Sequence, residues 1–188
     1  MTIKICVGGK ICTGKSSFCH KLMQRLKDRY NLKDEECSIL PMSSFLKYIA
    51  TTGFGMDPNK KDRTLLQKIA DSMRSIDEDV FANVVVNQSK NYKLALNDDT
   101  RYVNDARKFV NNGWILVKLV VDEDIRMKRL MKLYPNTKIS EMQHSSETSL
   151  DTPEYQSLVH LFLNNNNEQE QEQSINILLE HIQINYLF

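Results

Sequence analysis

The chain has 188 residues, 41% of them hydrophobic and 26% charged, with a net charge of +1. That length suits one α/β domain with a real core, and so even a charge excludes a broadly basic surface, so no nucleic-acid partner is expected. No apolar run has the length of a membrane span and no signal-peptide pattern opens the sequence, so no membrane partner and a cytoplasmic, intracellular location are expected.

Thr2–Val7 reads as a short β-branched strand. Gly9-Lys10-Ile11-Cys12-Thr13-Gly14-Lys15-Ser16 follows and fits G-x-x-x-x-G-K-[ST], the phosphate-cradling P-loop. Phe18, Leu22, Leu26 and Tyr30 then recur at helical spacing. Strand, glycine loop and helix stand in the order a P-loop requires. Such a loop turns backbone N–H groups around a polyphosphate, and the helix N-terminus adds partial positive charge. Gly9, Lys10, Thr13, Gly14, Lys15, Ser16 and Ser17 are therefore the candidate ATP contacts. Lys15 is expected at the β- and γ-phosphates, and the Ser16 hydroxyl on Mg²⁺. The plainer alternative is a glycine turn with no ligand. Cys6, Cys12, Cys19 and Cys37 form no C-x-x-C pair and no metal-ligand spacing with the four histidines.

Glu36–Leu40 reads as a second strand ending at Pro41, and a helix starts near Ser43 or Ser44. Gly53–Pro58 breaks it, as a lid or substrate-side loop. Asn59-Lys60-Lys61-Asp62 matches the guanine-reading N-K-x-D by accident, since no apolar strand precedes it and no D-x-x-G follows; a solvated helix start is the reading. From Asp62 to Ile76 the pattern is two-faced. Leu65, Leu66, Ile69, Met73 and Ile76 form a buried stripe, while Arg63, Gln67, Ala70 and Arg74 share another face. That second face lines a groove for an anion or is simply solvated. Val80–Val86 continues as a further helix.

Lys93–Asn97 is a strand ending at Asp98-Asp99-Thr100-Arg101, where a Walker-B carboxylate belongs, although a turn or cap aspartate is common there too. Asn104–Asn112 is a helix closed by Gly113. Trp114–Val121 is the clearest strand, apolar enough for burial on both faces of a parallel sheet. Asp122-Glu123-Asp124 opens a helix carrying Arg126 and Arg129, and Pro135 closes it. Residues 136–149 are polar and weakly periodic, a connection long enough to be functional or disordered. Ser157–Leu163 reads as a last strand, Asn164–Gln173 as a solvated low-complexity spacer, and Ser174–Phe188 as a closing helix. This alternation predicts an α/β fold, a parallel sheet with helices on both faces and a ligand crevice at the C-terminal strand edges.

Together these motifs resemble the deoxynucleoside monophosphate kinases of phages and large DNA viruses, within the P-loop kinase superfamily. The resemblance rests on the P-loop, Leu46-Lys47, the run from Arg63 to Ala70 ending at Arg74, and Asp99-Thr100-Arg101-Tyr102-Val103-Asn104-Asp105. His144-Ser145-Ser146-Glu147 looks like a further family segment, with no chemical role attached. Ala70, Phe81, Thr100 and Asp105 depart from the residues usual there.

The resemblance implies a three-layer αβα P-loop NTPase fold over residues 1–188, adenylate-kinase-like, with a substrate-side helical region at about 41–90 and a lid at about 134–150. It implies a phosphotransferase that moves the γ-phosphoryl of Mg-ATP to a deoxynucleoside monophosphate, in host cytoplasm if the source is viral. Lys47, Arg63, Gln67, Arg74, Asp99 and Arg101 become the substrate-side residues, and the three arginines contact the monophosphate. Asp99, rather than Asp98, becomes the acid that shares Mg²⁺ with Ser16. Lys15 and Arg101, joined by Arg126 and Arg129 as lid-side arginines, neutralise the moving phosphoryl group; helix-surface arginines are the alternative for the last two. The partners are small nucleotides, with a homodimer left open. Rival readings are another P-loop small-molecule kinase, acting on a ribonucleotide or a coenzyme-A precursor, a nucleotide-binding switch, and an interaction protein with a degenerate P-loop.

Overall fold

Period-two alternation along the strands decides which helices each side chain meets. In the computed structural model, which describes residues 2–60, 62–135 and 145–186, five strands form one sheet in the order β2-β3-β1-β4-β5. They are β1 (Ile3–Gly8), β2 (Cys37–Ile39), β3 (Leu94–Thr100), β4 (Ile115–Val120) and β5 (Leu161–Asn164), and every neighbouring pair is parallel. The longer helices are α1 (Lys15–Tyr30), α2 (Met42–Phe54), α3 (Arg63–Ile76), α4 (Val80–Ser89), α5 (Val103–Asn111), α6 (Glu123–Leu133), α7 (Pro153–Leu158) and α8 (Glu168–Tyr186).

Ile3, Ile5 and Val7 of β1, Leu94 and Leu96 of β3, and Ile115, Val117 and Leu119 of β4 face one core, against Phe18, Leu22 and Leu26 of α1 and Ile175, Leu178 and Ile182 of α8. The intervening Cys6, Ala95 and Leu116 face a second core made with Phe81 and Val85 of α4, Phe109 of α5 and Tyr155 of α7. Each fully buried leucine or phenylalanine contributes roughly 1.5–3 kcal/mol. Two cores on one parallel sheet make the three-layer α/β architecture, and β4 is buried on both faces as its composition predicts. A third, smaller cluster of Ala50, Leu66 and Ile69 joins α2 to α3 beside the sheet.

Several boundaries differ from the sequence reading. β3 runs on from Asn97 to Thr100, because Thr100 pairs with Gly8 of β1 and a backbone ladder accepts polar residues as readily as apolar ones. Ile76 is 89% exposed, since the neighbouring clusters include Met73 and stop there. The expected strand from Ser157 begins only at Leu161. Before it, Thr152 accepts from the Tyr155 N–H and Pro153 occupies the first turn, which starts α7 instead. The expected spacer Asn164–Gln173 is not a spacer: α8 begins at Glu168, and Asn165 and Gln171 are buried. Polarity suggested solvation, but these amides are satisfied internally. Residues 136–144, including His144 and much of the expected lid, lie outside the described residues; Ser145–Thr148 forms one helical turn and Ser149–Asp151 a 3₁₀ turn. Among the described residues no helix is long and apolar enough to cross a membrane.

Candidate active site

The loop between β1 and α1 is tied down through its carbonyls. Lys15 Nζ donates to the carbonyls of Gly9 at 2.6 Å and Lys10 at 2.9 Å. Arg126 Nη1 reaches the Ile11 carbonyl at 3.4 Å, and Asn165 Nδ2 reaches that of Thr13 at 2.6 Å. The first N–H groups of α1, at Lys15, Ser16 and Ser17, have no intrahelical acceptor, as at every helix start, so they are available to an anion. Gly14 sits at φ 85°, and a Cβ there would lie 2.6 Å from Asn165 Nδ2, so this position needs glycine twice over. Cys12 is a non-glycine residue at φ 65°, a conformation that concentrates at ligand-binding turns. Burial and then the Arg101 guanidinium lower the pKa of Lys15 to about 8, while Glu147, Asp98 and Asp99 oppose the shift.

The two acids at the end of β3 make different contacts. Ser16 Oγ donates to Asp98 Oδ2 at 2.6 Å. Asp99, the acid expected beside the metal, instead accepts from the N–H groups of Met42 and Ser43, both at 2.9 Å, and from Asn97 Nδ2. Pro41, the N-cap residue of α2, has no side-chain acceptor, so Asp99 caps that helix from across the cleft. Strand parity explains the division: Asp98 follows Leu94 and Leu96 toward α1, whereas Asp99 follows Ala95 toward α2 and α4. One hydroxyl and one carboxylate converging at 2.6 Å fit Mg²⁺, which keeps much of its shell as water and substrate phosphate.

On the other side of Arg101 opens a cavity of about 390 Å³ between α2, α3 and the end of β3. All six residues expected on the substrate side line it: Lys47, Arg63, Gln67, Arg74, Asp99 and Arg101. Leu46, Leu66, Ala70 and Phe81 supply its apolar wall. Arg63, Gln67, Ala70 and Arg74 of α3 thus share the wall of this cavity, with Arg63 and Gln67 also exposed. Arg74 is held hard: it makes a two-pronged contact with Asp105 at 3.1 and 3.0 Å and lies over the rings of Phe81, at 5.1 Å, and Tyr102, at 4.7 Å. Asp105 is fully buried, and burial raises its pKa to about 6 against the pull of Arg74.

The two arginines of α6 part company. Arg126, 5% exposed, is paired with Glu123 at 2.9 Å and lies against the P-loop. Arg129 donates to the carbonyls of Asn165 and Asn166 at 2.9 and 2.6 Å, on the wall of a second cavity of about 380 Å³. Gly14, Ser17, Lys21, Asn167 and Gln171 line that cavity as well, directly beside the α1 N-terminus. Sequence reasoning missed Asn165 and Gln171, whose low-complexity surroundings carry no positional signal. It also left Glu147 without a role, although that carboxylate accepts from the Ile11 N–H at 2.8 Å and from Arg101 at 3.0 Å. Asp98 was within reach, because its parity with Leu94 and Leu96 is written in the strand.

No protein-family model matches the chain, and no curated protein matches it significantly. Solved structures do. A gluconokinase from Sinorhizobium meliloti aligns over 98% of this chain and 97% of its own, with TM-score 0.60 and 11% identity. A shikimate kinase from Acinetobacter baumannii in complex with shikimate aligns over 99% and 96%, with TM-score 0.61 and 15% identity. A tunicamycin resistance protein of Deinococcus radiodurans aligns over 96% of both chains, with TM-score 0.56 and 12% identity. What these likenesses show is a shared fold, a three-layer α/β architecture on a five-stranded parallel sheet of order β2-β3-β1-β4-β5. Within this fold the loop after β1, the acidic end of β3 and the α2–α3 groove lie at the C-terminal edge of the sheet, the crevice that open parallel sheets use for ligands.

Proposed function

We propose that the protein is a phosphotransferase that moves the γ-phosphoryl group of ATP to a deoxynucleoside monophosphate, releasing ADP and a diphosphate. The observation that carries this reading is the α2–α3 cavity. It combines four cationic side chains, an aromatic and aliphatic wall, and a direct boundary with Arg101. A phosphate monoester attached to a flat base needs that combination. The cavity beside Gly14 and Ser17 would take the nucleoside of ATP, with its phosphates over the α1 N-terminus.

In the transfer, an anionic oxygen of the acceptor phosphate forms a bond to the γ-phosphorus as the bond to the β–γ bridging oxygen breaks. No proton has to be removed from the nucleophile. This suits a site whose carboxylates are already engaged, Asp98 by Ser16, Asp99 by the start of α2 and Glu147 by Arg101. Lys15 and Arg101 stabilise the charge on the moving group, Arg63 and Lys47 hold the acceptor phosphate, and Phe81 bounds the base. Arg126 and Arg129 support the loop and the nucleotide wall. Ser16 and Asp98 would hold Mg²⁺, which when bound neutralises charge on the phosphates.

The likeness to a gluconokinase and a shikimate kinase supports a second reading, a P-loop kinase with a different small acceptor. ADP release is therefore measured with ATP and each deoxynucleoside monophosphate, ribonucleoside monophosphates, coenzyme-A precursors and sugar acids. We expect at least one deoxynucleoside monophosphate to raise turnover about 100-fold over water, and Arg101→Ala to lower it by about 10² to 10³. Turnover stimulated only by a non-nucleotide acceptor would select the second reading.

A further inference from the structure

One acid that contacts the P-loop belongs to neither the loop nor β3. Glu147 follows Ser145–Thr148's first residues in a turn far along the chain, and its side chain is 6% exposed. One oxygen accepts from Arg101 Nη1 at 3.0 Å and the other from the Ile11 N–H at 2.8 Å. The backbone behind it is fixed. Leu150 is fully buried and its carbonyl accepts from Lys118 Nζ at 2.7 Å; Asp151 pairs with Lys10 of the P-loop at 2.6 Å. The turn is thus clipped to the P-loop at both Glu147 and Asp151, and to β4 between them.

We propose that Glu147 is a positioning residue for phosphoryl transfer: it holds the Arg101 guanidinium from behind and locks it to the front of the P-loop. This rests on the phosphotransfer reading above. The argument is geometric. Arg101 lines the acceptor cavity and is bonded to Glu147 through Nη1, so the carboxylate sets where the remaining donors of the fork point. The second oxygen ties that position to the same loop that cradles the donor phosphates. Donor loop and acceptor-side arginine are thereby placed relative to one another by a single side chain on a fixed turn. An arginine displaced by even about 1 Å would lose its alignment in the transition state rather than in ground-state binding.

A glutamine keeps the shape of Glu147 but offers one oxygen acceptor, so it satisfies one of the two contacts. For Glu147→Gln we expect kcat to fall about tenfold while KM for ATP changes less than about threefold. In an Arg101→Ala background the same substitution should cost less than about twofold, because the residue to be positioned is gone. An equal loss in both backgrounds, or an unchanged kcat, overturns the proposal. Hydrogen exchange of the Ile11 amide gives a readout free of activity: protection in the intact protein, lost on Glu147→Ala. An unprotected amide in the intact protein also overturns it. If no acceptor is phosphorylated, the functional reading fails by itself, and the cycle is run on the slow transfer from ATP to water. If Glu147→Gln, Glu147→Ala and Glu147→Asp all fail to fold, the residue is structural and the proposal falls.

Discussion

Ser16 donates its hydroxyl to Asp98 at 2.6 Å, while Asp99, one residue on, closes the N-terminus of α2. Neighbours on a strand face opposite sides, so one acidic dipeptide reaches the starts of both α1 and α2. Asp98→Asn should raise the Mg²⁺ concentration for half-maximal rate and lower turnover on the order of 10²-fold, with stability unchanged. Asp99→Ala should do the reverse at first order, costing about 1–2 kcal/mol through the lost cap. Mg²⁺ titrations and urea melts of the two variants measure this directly. A Mg²⁺ phenotype confined to Asp99 would return the metal-side role to it.

ATP binding should weaken as the solution becomes alkaline. Burial and Arg101 bring Lys15 to about 8 in the free protein, and an adjacent polyphosphate pulls it back up. Binding then takes up a proton above that pH, and affinity falls by up to about tenfold per pH unit. The folded value lies below the ordinary 10.5, so the unfolded chain holds more protons between about 8 and 10.5. Lys15's contribution to stability therefore rises with pH across that window. Calorimetric titration with ATP from pH 7 to about 9.5 should show the proton uptake, and Lys15→Met should abolish it.

Removing Arg74 should destabilise the fold in a pH-dependent way. Its partner Asp105 is fully buried, and a buried carboxylate left unpaired costs about 3–5 kcal/mol at neutral pH. Burial already holds Asp105 at about 6, above the ordinary 3.8, so the native state takes up its proton first as pH falls through 6. Below that point the carboxyl is neutral in both proteins and the penalty of Arg74→Ala should shrink. Urea unfolding at about pH 5 and about pH 7.5 compares the two regimes.

Asn165 should behave as part of the phosphate loop. Its amide donates to Thr13 and accepts from Gln171, at 2.6 and 3.1 Å, in a fully enclosed chain. Asn165→Ala leaves both groups buried and unpaired, a loss of about 1–3 kcal/mol, and should weaken ATP binding as the loop relaxes. Gly14→Ala should fail more completely, since it combines a left-handed φ with a clash against the same amide. Thermal melts with and without ATP measure both. A neutral Asn165→Ala would remove Asn165 from the support of the phosphate loop.

The local patterns were legible and the polar long-range ones were not. Phe18, Leu22 and Leu26 announce α1 by their spacing, the β-branched run Thr2–Val7 announces a strand, and the nearly continuous apolar run Trp114–Val121 announces one buried on both faces. Lys47, Arg63, Gln67 and Arg101 were found together because family-like motifs placed them, and the cavity joins them. Ile76 was misplaced because an apolar stripe says which face is buried, not how far its neighbour extends. Asn165 and Gln171 were read as solvated because composition records polarity and is blind to hydrogen-bond partners.

By itself the sequence determined the order of strand, phosphate loop and helix and the alternation of strands with helices, and hence the parallel three-layer fold. Only the tertiary structure decided that Asp98 faces Ser16, that Asn165 reaches Thr13, and that Glu147, 136 positions beyond Ile11, bridges it to Arg101. The reason is physical. Hydrophobic burial depends on periodicity, which is local and repeats, whereas a hydrogen bond between distant polar groups depends on register and distance, and those exist only once the sheet has been assembled.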